Sequence, residues 1–215
     1  MITSTSALPN IRTQAETLIA LGVHERAGWS ARELRAVAEP AGDGHALLAI
    51  LPDLVPASAL APLVRVHDKQ GFVVTDMSDV DAFTSVAALP DSPGYLVDDL
   101  DRGDAMTNWS PAEADVAIAA SGRTPLTLTE GLHWLLHRPE VLQRGHCFMT
   151  IGSRRRKPDG SLDARTPAVW ISNGTGRDGP HHRDAPKVGW CWAGNRHTWL
   201  GFASAAGRRP VHAGG

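Results

Sequence analysis

Cysteine is scarce in this chain of 215 residues: Cys147 and Cys191 are the only two. Two cysteines in a chain of this size exclude a disulfide framework of the kind that staples small secreted domains. Long apolar runs are also missing. Nothing approaches the ~20 residues that a membrane-spanning helix needs. The first residues hold neither a basic stretch nor an apolar run of the signal-peptide kind. We therefore expect a cytoplasmic protein with no membrane partner. In that compartment the sequons Asn108-Trp-Ser110 and Asn173-Gly-Thr175 are idle. Strong net charge is absent too: the balance is −2, so the chain as a whole is no polyanion binder.

The charge is unevenly spread. Residues 1–105 carry 15 acidic and 7 basic side chains, residues 106–215 carry 8 and 14. Either the halves dock on each other or the second half meets an anionic ligand. The length permits a core without metals or disulfides.

What is abundant lies near the C-terminus. Four of the seven tryptophans, Trp170, Trp190, Trp192 and Trp199, fall within Thr166–Ala206, with Cys191 and three histidines. Ala168–Ser172, Lys187–Trp192 and His197–Ala203 are apolar or β-branched and predict strands. Ala193-Gly194-Asn195-Arg196 predicts a hairpin turn between the last two. Alternation along a strand sets Trp190 and Trp192 on one face and Cys191 on the other. One reading makes the tryptophans core packing. The other makes one face the wall of a ligand cleft at the hairpin end, where Asn195, Arg196 and His197 converge.

Asn173–Pro186 is a long polar loop, a length that is usually functional or mobile. Its Gly174-x-Gly176-x-x-Gly179 string is no dinucleotide site. That motif needs a helix directly after it to hold the pyrophosphate. Here Pro180 and Pro186 bracket the segment.

Earlier in the chain, Ile11–Leu21 predicts a helix ended by Gly22, and Ser30-x-x-Glu33 is a capping box opening a helix over Ala31–Glu39. Ala46–Leu51, Leu63–His67, Gly71–Asp76 and Gly94–Val97 predict strands. Ser110-Pro-x-Glu113 and Thr127-x-x-Glu130 open two more helices. The second is too apolar to read DNA as a recognition helix and belongs in a core. Its His133 and His137 share a face without the Glu that a zincin requires. Helices and strands do not alternate in βαβ units, which favours an α+β fold.

Other chemistry is weaker. Asp99-x-Asp101 after a strand has the outline of an aspartyl nucleophile, but Gly103 follows where Thr or Val belongs. Zinc could draw on Cys147, Cys191, His146, His197 and His181-His182, yet no paired spacing supports it. Cys191 and His197 could form a nucleophile pair if the hairpin register allowed it. Arg154–Lys157 is either a solvated turn or a phosphate-gripping loop; with the aromatic sheet it carries the alternative of a nucleic-acid module.

The segments YLVDDLDRGD, NWSPAEA, GRTPLTLTEG, CFMTIGSRRR, TPAVWIS and KVGWCWAGNRHTWLGFASA together resemble an actinobacterial family of unknown function, over roughly 47–208. The resemblance implies a bacterial cytoplasmic protein and transfers no site residues.

The expectation is one α+β domain over 11–207, between disordered ends at 1–10 and 208–215. It has a helical cap (11–40), a mixed sheet and a C-terminal antiparallel meander (144–206). A small-molecule site is expected at the 193–197 turn and the 173–186 loop. His197 and Cys191 are the candidate catalytic residues, His197 as general base. Trp192 and Trp199 are candidate walls, Asn195 a polar contact, and Arg196 and Arg177 anion contacts. No metal or named cofactor follows from any motif.

Overall fold

The computed structural model describes residues 7–41 and 45–211, and for Arg177 the backbone only. Its folding signals are largely local ones. Asn10 accepts from the Thr13 N–H and caps helix α1 (Ile11–Ala20), whose Ile11, Ala15 and Leu18 recur at helical spacing and are buried. Gly22 (φ 68°) ends it, and the one-turn α2 (Val23–Arg26) leads to α3 (Ala31–Ala38), which starts on the expected Ser30–Glu33 capping box. The three helices pack on one another as a cap.

Strand β1 (Leu47–Ile50) is wholly buried. Then come α4 (Ala57–Leu60), a tight hairpin of β2 (Arg65–Val66) and β3 (Lys69–Gln70), and the short strands β4 (Phe72–Val73) and β5 (Thr84–Ser85). The apolar runs at 63–67 and 71–76 thus yield only two-residue strands, because the chain turns back at His67 (φ 53°). β6 (Gly94–Asp98) ends at Asp99, itself at φ 50°. Capping boxes at Ser110 and Thr127 open α5 (Pro111–Ala120) and α6 (Leu128–His137), with β7 (Thr124–Pro125) between them. The remainder is β8 (Cys147–Met149), β9 (Ser153–Arg154), β10 (Arg165–Ile171), β11 (Pro186–Trp192), β12 (Leu200–Phe202), β13 (Ser204–Ala205) and β14 (Gly207–Pro210).

Helices and strands are mixed along the chain without regular βαβ units, and the fold is α+β. A three-stranded antiparallel sheet has the order β1-β6-β14, and a mixed five-stranded sheet the order β12-β8-β10-β11-β4. α6 lies between them, touching β1 on one side and β10 on the other. That explains why every residue from Leu128 to Leu135 is buried. Close approach to the second sheet needs Gly131: a Cβ there would lie 2.9 Å from Thr150 Cγ2 and 3.0 Å from Phe148 Cε2. No helix among the described residues is long and apolar enough to cross a membrane.

Two expectations fail. First, β11 and β12 are not a hairpin. β8, β10 and β11 do pair antiparallel, but the chain then leaves β11 and returns at the far edge, where β12 pairs parallel with β8. A parallel partner needs a crossover connection, and residues 193–199 supply it. Their backbone is held outside the sheet, Ala193 N–H donating to Ala164 O and His197 O accepting from Asn108 N–H. Second, the segment from Arg208 is not a loose tail. Gly207–Pro210 is β14, paired antiparallel with β6, which would otherwise present an open edge. At the other end, Asn10 is a helix cap rather than part of a disordered leader. Residues 1–6 and 212–215 lie outside the described residues.

Candidate functional site

The pairing of β10 with β11 decides which side chains meet. Trp170 stands opposite Lys187, Ala168 opposite Gly189 and Thr166 opposite Cys191. These six share one face, and the other face, with Val188 and Trp190, turns away from them. Gly189 leaves room for the Trp170 indole to lie across the strand: a Cβ there would be 2.6 Å from its Cη2. The crossover then brings in Trp199, which meets Trp170 edge to face with centroids 6.1 Å apart. Lys187 Nζ sits 4.9 Å from the Trp170 ring centre, within cation–π reach.

Beside these rings opens a hollow of ≈ 440 Å³. Trp170, Ile171, Lys187 and Trp199 line it from the sheet, Asn173, Thr175 and Asp178 from the loop after β10, and Arg144, Gly145 and Cys147 from the entry to β8. The loop is folded rather than loose. Asp178 is buried and accepts from Lys187 Nζ at 2.7 and 2.8 Å and from Ser172 Oγ at 2.7 Å. Its carbonyl accepts from His182 Nδ1 at 2.8 Å. His182 in turn stacks on Phe72, centroids 3.8 Å apart and planes 9° off parallel. After the Gly174–Gly179 string comes a three-residue 3₁₀ turn at Pro180–His182, where a dinucleotide site would need a helix. Lys187 is thereby committed to Asp178. Arg144 is committed at one nitrogen: among the described residues only its Nη2 has acceptors, Asp184 Oδ1 at 2.5 Å and Ser172 O at 3.3 Å.

Of the expected site residues, Trp199 lines this hollow, while His197, Cys191, Trp192, Asn195 and Arg196 do not. His197 touches it only through Trp199, their rings 5.2 Å apart. Burial pushes the His197 imidazole below its ordinary pKa, and its Nε2 is buried without a partner. Cys191 shares the Trp170 face but makes no hydrogen bond to His197 among the described residues. Burial pushes its thiol up to about 11. With no hairpin, nothing brings the pair into register. Trp192 is 50% exposed and packs against Trp190 on the opposite face, centroids 4.6 Å apart. Asn195 is exposed, its backbone N–H closing a turn on Trp192 O. Arg196 is spent on the Asn108 carbonyl and on Glu113. The Glu113 carboxyl is held down to about 2, first by the Ser110 N–H, then by the Ser110 hydroxyl and Arg196. The side chain of Arg177 lies outside the described residues.

The other sequence candidates are engaged in the fold. Asp99 pairs with Arg123, and Asp101 accepts from the Gly103 N–H. Arg155 and Arg165 share Asp79, so the basic turn keeps one of its arginines within the protein. Arg154 is half-buried and donates to Asp163 O. Among the described residues no three His, Cys, Asp or Glu side chains cluster as metal ligands. A further hollow of ≈ 420 Å³ opens at the start of α6. Its hydroxyls are in use: Ser153 Oγ accepts from Leu128 N–H, and Thr127 Oγ1 from Glu130 N–H.

Arg144, Trp170, Asp178 and Lys187 escaped the sequence reading of the site. The cross-strand pair Trp170–Lys187 was recoverable once β10 and β11 were paired. Arg144 carried no signal, since it precedes its strand in an unremarkable turn. No curated protein and no solved structure matches the chain. The chain belongs to a family of unknown function, DUF5701, whose model matches residues 17–211.

Proposed function

We propose that this protein binds a small organic anion in the hollow between the Trp170 face of the sheet and the 173–185 loop, with Arg144 taking the anionic head. The observation that carries this is the state of the Arg144 guanidinium. Its Nε and Nη1 have no acceptor among the described residues, while Nη2 is anchored twice. Nε–H and Nη1–H can each donate a single charge-assisted hydrogen bond to an anion's oxygen. Trp170 and Trp199 offer flat apolar walls, and Asn173 and Thr175 polar groups on the facing loop. A few convergent polar groups among apolar walls is the composition of a small-molecule site.

The rival account is a dent left between a surface ion pair and two packed indoles, which gives no saturable binding. Binding is favoured over catalysis because both thiols are pushed up to about 11 by burial and neither is hydrogen-bonded to a base among the described residues. The free thiols fit a reducing compartment, and this reading assigns the protein to the cytoplasm.

Calorimetric titration with benzoate, followed in parallel by tryptophan fluorescence, tests it. Saturable binding with a fluorescence change is expected. Arg144→Ala, at an exposed position, weakens it roughly tenfold to a hundredfold without unfolding the protein, the worth of a hydrogen bond to a charged group. Absence of saturable binding, or binding indifferent to Arg144→Ala, would falsify the assignment.

A further inference from the structure

The Arg144 guanidinium stands between two hollows, not at the edge of one. A second space of ≈ 570 Å³ shares Arg144 and Ile171 with the indole-lined one. Its character differs. Val66, Pro139, Leu142 and Ile171 give it an apolar floor, where β2 packs against the 3₁₀ turn that follows α6. The second is the more apolar of the two, with His67, Glu140, Gln143 and Asp184 as its polar lining. Asp184 stands at the boundary in a left-handed conformation (φ 68°), its N–H on Ser172 O and its carboxylate on Arg144 Nη2. With Ser172 O it takes up Nη2 and leaves Nε–H and Nη1–H without an acceptor among the described residues.

Polar and apolar chambers joined at one arginine fit a ligand with the same division. Resting on the anion-binding reading above, we infer that the ligand is an aliphatic monocarboxylate. Its head accepts from an open N–H of Arg144, and its chain runs past Ile171 along Val66, Pro139 and Leu142. A carboxylate needs no covalent step to be held this way. The apolar chamber then sets chain length, as the Arg144 charge sets the head.

The straight-chain series from butanoate to decanoate, titrated calorimetrically into the full chain, tests this. Each methylene that enters the apolar hollow should tighten binding about fourfold, until the hollow is full and the gain stops. Val66→Glu places a charge on the floor of that chamber and should bring decanoate down to the level of butanoate, leaving benzoate binding unchanged. Should that variant fail to fold, Val66→Trp, which fills the space instead of charging it, is read in its place. A flat series together with Arg144-dependent benzoate binding overturns this inference and leaves the anion site standing. Chain-length dependence that persists in the Val66 variants also overturns it, since the chain then lies elsewhere. Failure of benzoate itself to bind removes both.

Discussion

Arg208→Ala should cost far more stability than Arg209→Ala, although the two residues are neighbours in a segment that reads as a basic tail. In β14 they point to opposite sides. Arg208 is 4% exposed at the side chain and reaches Glu130, which is fully buried. Four donors converge on that carboxylate: Arg208 Nε at 2.6 Å, Arg208 Nη2 at 2.7 Å, the Thr127 N–H at 2.8 Å and the Tyr95 hydroxyl at 3.0 Å. Arg208 also donates to Thr124 Oγ1 and Pro125 O, tying β14 to β7. Among the described residues, truncation removes the one cation paired with a carboxylate that has no access to water. Breaking a buried pair from one side costs about 3–5 kcal/mol, a large share of the ~5–15 kcal/mol typical of a whole domain. At about 2–4 °C per kcal/mol for this size, the thermal midpoint should fall by about 6–20 °C. Arg209 pairs with Asp98 at 3.1 Å with half its side chain in water, so its loss should stay within about 1 kcal/mol. Urea unfolding of both variants at neutral pH measures the difference, with unchanged m-values as the check on two-state behaviour. Equal and small losses from the two variants would mean that β14 is not docked in solution and that the core closes without it.

Acid should destabilise the protein through α6. Burial pushes His133 down to about 4 and His137 down to about 3, and three of their four ring nitrogens are buried without partners. Both imidazoles are neutral when folded, and below about 6.5 the unfolded chain takes up the protons that the folded one refuses. Stability is therefore full above that pH and falls as pH drops from about 6.5 towards 4, by up to ~1.4 kcal/mol per unit for each histidine. Urea midpoints at pH 7 and 5 check this; the slope should shrink in His133→Gln/His137→Gln, and an unaltered slope would assign acid lability elsewhere. Alkylation separates the two thiols: Cys191, half-buried, should react slowly at pH 8 and faster towards pH 11, and Cys147 only on unfolding. Rapid labelling of Cys191 at pH 7 would restore it as a nucleophile.

What the sequence reveals and what it hides follow from the range of the forces concerned. The capping boxes at Ser30, Ser110 and Thr127 were legible because donor, acceptor and start signal lie within four residues. The burial of α6 was legible because Leu128, Leu132, Trp134, Leu135 and Leu136 make it too apolar for a solvated helix. The partner of β12 was not legible. Trp192 and Leu200 are separated by a turn-like sequence that suits a hairpin, and local propensity has no means to express that β8 offers a better edge. That single pairing moves the site. A hairpin would have kept Asn195, Arg196 and His197 at a shared rim. The crossover instead spends Arg196 on Glu113, turns Asn195 to solvent and delivers only Trp199 to Trp170. Arg208 shows the same limit in reverse: two arginines before a Pro read as a solvated end, and only the open edge of β6 and the buried charge of Glu130 make one of them structural. In both cases the missing quantity is a long-range one, the unsatisfied edge or charge waiting elsewhere in the chain. Arg144 is therefore the decisive residue to test. Its role rests on what the fold leaves unused at its Nε and Nη1, and no reading of its sequence neighbours contains that information.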